Sequence, residues 1–348
     1  MALEKLIGLG PILNHFLINY KIYIGNKMKK ALVVGINNYP FSPLRGCEND
    51  ATEVGKVLQT NDNGSPNFGV RLELNVGSKS VLKTMISELF SGDCETSLLY
   101  FSGHGYTNEL GGYIVTPDAA KYDEGVSMGE ILTWANESKI RDKIIILDCC
   151  YSGNMGEIKI TQGGSYLNDG LTILTSSMKD ETSLEINNHG VFTSLLLSAL
   201  EGGAADLRGE ISPGSVYAYI DQALGAWDQR PVFKTNVKRF TSLRTVKPQV
   251  PVEVLRKLVE YFPNQQAQFE LNPSFEFTND PNIEHKCVEP YAISEKVSIF
   301  KDLQKFQSVG LVVPVDAAHM YFAAMDSKNC KLTALGAHYW RLVNSKKI

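Results

Sequence analysis

Between Lys29 and about Thr245 the chain alternates short apolar runs with segments of helical period, and this alternation constrains the fold more than any other feature. KALVVGI, VRLELNV, TSLLYFS, GYIVTP, KIIILD and LTILTS read as strands, bounded by Gly, Asp, Asn or Pro. NDATEVGKVLQT, SKSVLKTMISELFS and SMGEILTWANES read as helices between them, and VFTSLLLSALEG and SVYAYIDQALGAW follow the last strand. Strands joined by crossover helices pair in parallel. ALVVGI and IIIL lack polar alternation, as strands covered on both faces do. The sequence therefore predicts a three-layer α/β domain with a mostly parallel six-stranded sheet.

Functional groups of open α/β sheets gather at the carboxyl ends of the strands. FSGHG follows SLLY and DCCYSG follows IIIL, so His104 and the pair Cys149 and Cys150 are expected on one sheet edge, although 46 residues separate His104 from Cys150. A thiol attacks as its thiolate and needs a neighbouring base, here the imidazole. Gly103 and Gly105 flank His104 and leave room for a substrate backbone; the Gly105 N–H, with that of the nucleophile, would hold an oxyanion. Alone, a cysteine is most often a small buried hydrophobe and a histidine a satisfied structural group. Their common placement is what points to thiol catalysis.

The formal net charge of −4, with 21% charged residues, describes an ordinary globular protein and argues against nucleic-acid binding by bulk charge. Six cysteines at 47, 94, 149, 150, 287 and 330 form no C-x-x-C pair, which predicts reduced thiols and a cytoplasmic setting. Residues 1–28 contain an apolar stretch broken by Pro11, Asn14, His15, Asn19 and Lys21; it reads as a docked amphipathic helix, or as an arm or start artefact ahead of MKKALVVGI, and not as a membrane span. After TVKPQVP a second domain, 246–348, is expected. There VEVLRKLVEYF reads as a helix, ISEKVSIFKDLQKFQSVGLVVPV as a helix leading into a strand, and HMYFAAMDSKNCKLTALGAHYWRLV as two β runs about a polar turn. This pattern resembles a winged-helix module. Its helix mixes acids with lysines, so docking of a regulatory protein is expected rather than DNA reading. Cys287 with His285, and Cys330 with His338, lack metal-ligand spacing.

ALVVGINNY, LRGCENDA, YFSGHG, DCCYSG, TSS and GVFTSLLLSAL, in this order, resemble the caspase-like cysteine peptidases, most of all the metacaspase and bacterial orthocaspase branch, over residues 29–245. The resemblance implies that Cys150 is the nucleophile and His104 its partner. An extended IIILDCC would point Asp148 and Cys150 to one side and Cys149 to the other, which is compatible. The resemblance also implies that Asp148, with Asp50, Cys47 and Ser102, forms the pocket for the side chain before the scissile bond. Two carboxylates there would select Arg, and less readily Lys, over Asp. Plainer roles are open for each: Asp50 capping the helix of ENDATEVGKVL, Asp148 bonding backbone amides at a strand end, Cys47 filling space.

The chain departs from the metacaspase pattern at the acidic calcium cluster. Asp118 is present in TPDAA, but VSMGEIL stands where an Asp pair is expected, and Asp123, Glu124 and Glu130 are the remaining acids nearby. Calcium wants several carboxylate oxygens, so no calcium dependence and no other cofactor is expected. Lys159, the one basic residue of GNMGEIKITQGGSYLND, marks either a self-cleavage point or an ordinary surface loop. The implied function is a regulated endopeptidase effector of bacterial stress or antiphage defence. Two readings from other classes compete: a catalytically silent caspase-like scaffold, and a DNA-binding regulator acting through the winged helix.

Overall fold

The structure, a computed structural model, describes residues 29–109, 111–121, 123–149, 166–176, 190–224, 231–282 and 287–348. The chain divides into two compact units, Met1–Ala205 with Glu210–Val246, and Asp206–Gly209 with Lys247–Ile348.

In chain order the first unit runs β1 (Lys29–Gly35), α1 (Cys47–Gln59), β2 (Phe68–Leu74), α2 (Lys79–Phe90), β3 (Thr96–Ser102), β4 (Gly105–Asn108), β5 (Gly111–Ala120), β6 (Asp123–Ser127), α3 (Met128–Glu137), β7 (Asp142–Asp148), β8 (Leu171–Thr175), α4 (Val191–Ser198), β9 (Glu210–Ile211), α5 (Pro213–Leu224), β10 (Val232–Asn236) and β11 (Arg244–Thr245). The main sheet has six strands in the order β10-β8-β7-β3-β1-β2; all its pairings are parallel except that of β10 with β8. Successive side chains on the central strands enter opposite layers, the period-two rule at work. Leu32, Val34, Leu99, Phe101, Ile145 and Leu147 join Leu82 and Ile86 of α2 and Ile131 of α3. Ala31, Val33, Leu98, Tyr100, Ile144 and Ile146 join Val54 of α1, Leu196 of α4 and Ile220 of α5.

Two strands differ from the sequence reading. GYIVTP lies in a separate antiparallel sheet, β4-β5-β6, because β4 ends at Asn108 and β5 begins at Gly111, a connection too short for anything but a hairpin. The sixth strand of the main sheet is instead β10, VFKTN, a half-polar segment at the sheet edge that pairs through one side only and carries little apolar pattern.

The second unit contains α6 (Val252–Leu255), α7 (Leu258–Tyr261), β12 (Gln268–Glu270), α8 (Ser294–Ser308), β13 (Val312–Pro314), α9 (Met320–Met325), β14 (Asn329–Leu332) and α10 (Ala334–Asn344). Its three strands form an antiparallel sheet in the order β12-β14-β13, over a core that includes Phe262, Phe300, Leu303 and Phe306. The helix-to-strand passage α8–β13 is as expected from the sequence. The two β runs expected over 319–343 are not formed: MYFAAM and ALGAHYWRLVN are helices flanking one strand. Aromatic residues suggested strands, but Thr333 caps α10 by accepting the Gly336 N–H at 3.0 Å, and Met320, Ala323 and Ala324 bury the stripe of α9. The winged-helix likeness thus lacks the hairpin wing it rested on. Among the described residues no helix is long and apolar enough to cross a membrane.

Candidate active site

β3 and β7 are neighbours, and in their register Ser102 stands opposite Asp148. The Gly103 N–H donates to the Asp148 carbonyl at 3.3 Å, so the SGHG and DCC segments leave the sheet side by side at its carboxyl edge. Cys149 is buried in the layer of Ile145 and Leu147, opposite to that of Ile144 and Ile146. It is core. Cys150, the expected nucleophile, and Lys159, the possible self-cleavage point, lie outside the described residues.

His104 is held from three sides. Its N–H donates to the Tyr39 hydroxyl at 3.1 Å, and its carbonyl accepts from Val115 N–H at 2.9 Å. Its ring lies 4.6 Å from the Tyr39 ring, and Nε2 is 2.7 Å from the Ser42 carbonyl oxygen. A carbonyl only accepts, so that bond places a proton on Nε2 and leaves Nδ1 as the basic nitrogen of the neutral imidazole. Gly105 pairs with Ile114, while the Val115 N–H bonds one residue back, to His104. This is the non-hydrogen-bonded register, in which the Gly105 N–H turns away from β5.

The four residues expected to form an acidic pocket come together from three elements. Gly35 permits the approach of α1 to the sheet: a Cβ there would stand 2.2 Å from the Cys47 carbonyl oxygen. Asp50, one turn into α1, is 3% exposed and its Oδ2 accepts the Ser102 hydroxyl at 3.1 Å. The N-cap of α1 is Gly46 and no side chain caps it, so the capping role open to Asp50 from sequence is not the one it plays. Cys47 lies close enough to both acids for their charges to act on its thiol, which burial, foremost, pushes up to about 12. It is a neutral wall rather than a second nucleophile.

Asp148 is half-buried at the end of β7, and the removal of its carboxyl from water raises it above the usual range; hydrogen bonds from the Thr193 hydroxyl, the Ser176 hydroxyl and the Thr193 N–H pull the other way without cancelling it. Thr193 donates its hydroxyl to Asp148 Oδ2 at 2.6 Å, which leaves the Tyr100 hydroxyl, also at 2.6 Å, to donate to Thr193. The plainer reading of Asp148 therefore holds in part: its carboxylate caps the N-terminus of α4. A Cβ at Gly190, the N-cap of that helix, would stand 3.2 Å from Asp148 Oδ2 and 3.8 Å from Asp50 Oδ2. The two carboxylates thus face one small space, and the absent side chain of Gly190 keeps it open.

Residues 28–248 match the family profile described as the caspase domain. The chain belongs to the caspase family. Members of that family are cysteine peptidases, and the match spans the first unit almost entirely. No curated protein matches the chain.

In this caspase domain the acids expected near a calcium site are differently engaged. Both carboxylate oxygens of Asp118 accept the Lys79 N–H, at 3.0 and 3.1 Å, which caps α2. The Lys79 ammonium pairs with Asp123, and Lys83, one turn on, pairs with Glu130 at 2.6 Å. Among the described residues no group of three or more His, Cys, Asp or Glu is arranged to hold a metal ion.

Sequence reasoning missed Ser42, Tyr39, Gly190 and Thr193. A backbone carbonyl leaves no trace in side-chain chemistry, so Ser42 had no signal. Thr193 had a faint one, a hydroxyl three residues into the mostly apolar helix start GVFTSLLL.

Proposed function

We propose that this caspase domain is a cysteine endopeptidase that cleaves proteins after Arg, and less readily after Lys, of the metacaspase and orthocaspase kind. The observation that carries the reading is the convergence of Asp50 and Asp148 on Gly190, beside the turn that holds His104. In the proposed mechanism Nδ1 of His104 takes the Cys150 thiol proton, and the thiolate attacks the scissile carbonyl. The N–H groups of Gly105 and Cys150 receive the oxyanion. The imidazolium returns its proton to the departing amine, and water, deprotonated by the same nitrogen, releases the acyl-enzyme. Each charge-assisted hydrogen bond to a guanidinium contributes about 1.5–3 kcal/mol, so two favour Arg over a neutral side chain by about a hundred- to ten-thousand-fold. The test is turnover of fluorogenic peptides ending in Arg, Lys, Asp or Ala. Preference for Asp would remove the pocket assignment.

Gly190→Ala supplies an independent check. The added methyl would crowd the Asp148 carboxylate more closely than van der Waals contact allows, so KM for an Arg peptide is expected to rise by about tenfold or more while an Ala peptide is affected less. Steady-state kinetics on the two peptides measures the difference.

No calcium requirement is proposed, because Lys79 and Lys83 already neutralise Asp123 and Glu130. Millimolar calcium or EGTA is expected to leave both the melting temperature and the Arg-peptide rate within error. A calcium-dependent rise in melting temperature would show that the acids bind the ion despite these pairs.

The second unit is proposed to dock a regulatory protein. Its α8 mixes Glu295 and Asp302 with Lys296, Lys301 and Lys305, a balance unsuited to a phosphate backbone. A reducing, cytoplasmic location, self-cleavage after Lys159 and a role as a stress or antiphage effector are further parts of this reading, supported by the thiol content and by the resemblance alone.

A further inference from the structure

We infer that Phe41 forms an apolar subsite for the substrate residue that follows the scissile bond, so that the enzyme favours a bulky apolar side chain there. The inference rests on the peptidase reading above.

Residues 37–47 form a loop tied shut on Asn37. Its carbonyl accepts the Leu44 N–H at 2.9 Å, its side-chain Oδ1 accepts the Cys47 N–H at 3.0 Å, and its Nδ2 donates to the Arg45 carbonyl at 3.1 Å. Its own N–H is anchored to Asn75 Oδ1 at 2.9 Å. This one loop serves both halves of the site. Cys47, at its end, lines the acidic pocket, and the Ser42 carbonyl holds His104. Phe41 immediately precedes Ser42.

The chemistry assigns sides to these two ends. The side chain before the scissile bond enters the acidic pocket, at the Cys47 end. The group that protonates the departing amine must come within hydrogen-bond reach of its nitrogen, so His104 marks the leaving side. Phe41 stands at the His104 end, its ring centroid 6.1 Å from the imidazole and 5.6 Å from the Tyr39 ring. Tyr39 behind it is 1% exposed, while Phe41 is 56% exposed. A ring backed by a buried aromatic, in a pinned loop, offers its free face at little conformational cost. Its neighbour on that face is the first residue of the departing half of the substrate.

Two internally quenched peptides that differ only in this residue, Arg-Leu against Arg-Gly, test the inference. The parent enzyme is expected to show kcat/KM about five- to tenfold higher for Arg-Leu, the size expected for covering part of an aromatic face. In Phe41→Ser the ratio should fall to about one, and in Phe41→Leu most of it should return. A ratio cancels any loss of folded enzyme, and Phe41→Leu reads the same quantity should the serine variant fold poorly. If Phe41 only braces His104, both peptides slow together and the ratio holds. That result, or equal turnover of the two peptides by the parent, overturns the subsite and leaves the peptidase reading intact. Cleavage of neither peptide overturns both.

Discussion

Replacing Cys150 with alanine is expected to lower cleavage of an Arg peptide by about a thousandfold or more, because removing the proposed nucleophile would leave only binding and oxyanion stabilisation. His104→Ala should cost a similar factor, and the two losses should not add, since the proposed thiolate and imidazole would act as one unit. Cys149 separates this expectation from a trivial one. Its side chain is 4% exposed among Ile145 and Leu147, so Cys149→Ser buries a hydroxyl and should destabilise the domain by about 1–3 kcal/mol while turnover by the folded fraction persists. Fluorogenic kinetics beside urea denaturation distinguishes the two cysteines. Activity that survives Cys150→Ala but vanishes in Cys149→Ala would reverse the choice of nucleophile.

The second large effect belongs to the acidic pocket. Asp148→Asn and Asp50→Asn are each expected to lower kcat/KM for an Arg peptide by about ten- to a hundredfold, and together by about a hundred- to ten-thousand-fold, with an Ala peptide little changed. Asp148 adds a pH signature. Its carboxyl is raised mainly by burial, so the folded protein holds the proton to higher pH than the unfolded chain. Stability from this group is complete below the unfolded carboxylate value of about 3.9 and is lost as pH rises through the folded value. A bound guanidinium needs the ionised form, so the Arg-peptide kcat/KM should climb over the range in which this stability falls. Asp148→Asn should lose that limb of the rate profile and flatten the corresponding slope of melting temperature against pH. An unchanged acid limb in the asparagine variant would assign the titration elsewhere. A group held at a cost to stability and needed for binding is a common exchange at functional sites.

Much of the first unit was legible because the physics that builds it is local. Runs such as TSLLYFS and IIILD can be strands only if both faces are covered, and connecting helices of a dozen residues force parallel pairing. The edge that carries His104 follows from that alone; alternation along the strand separates Cys149 from Cys150, and packing then decides that Cys149 is core. Where local signals conflict, the reading failed. MYFAAM and HYWRLV carry aromatic residues that favour strands, yet capping by Thr333 and burial of one helical stripe decide for helix. GYIVTP has the composition of a central strand, but the shortness of its connection to β4 removes it from the main sheet.

The layered fold, the sheet edge that carries His104 and the candidate residues there could be read along the chain, because these depend on the order of apolar and polar residues. Long-range packing settled the rest: which nitrogen of His104 is left basic, that Asp50 faces Ser102 instead of capping α1, and that Asp50 and Asp148 share the space in front of Gly190. Each depends on a backbone carbonyl, a hydroxyl or a missing Cβ brought in from a distant segment, and such contacts are set by how the elements dock rather than by any pattern within one of them.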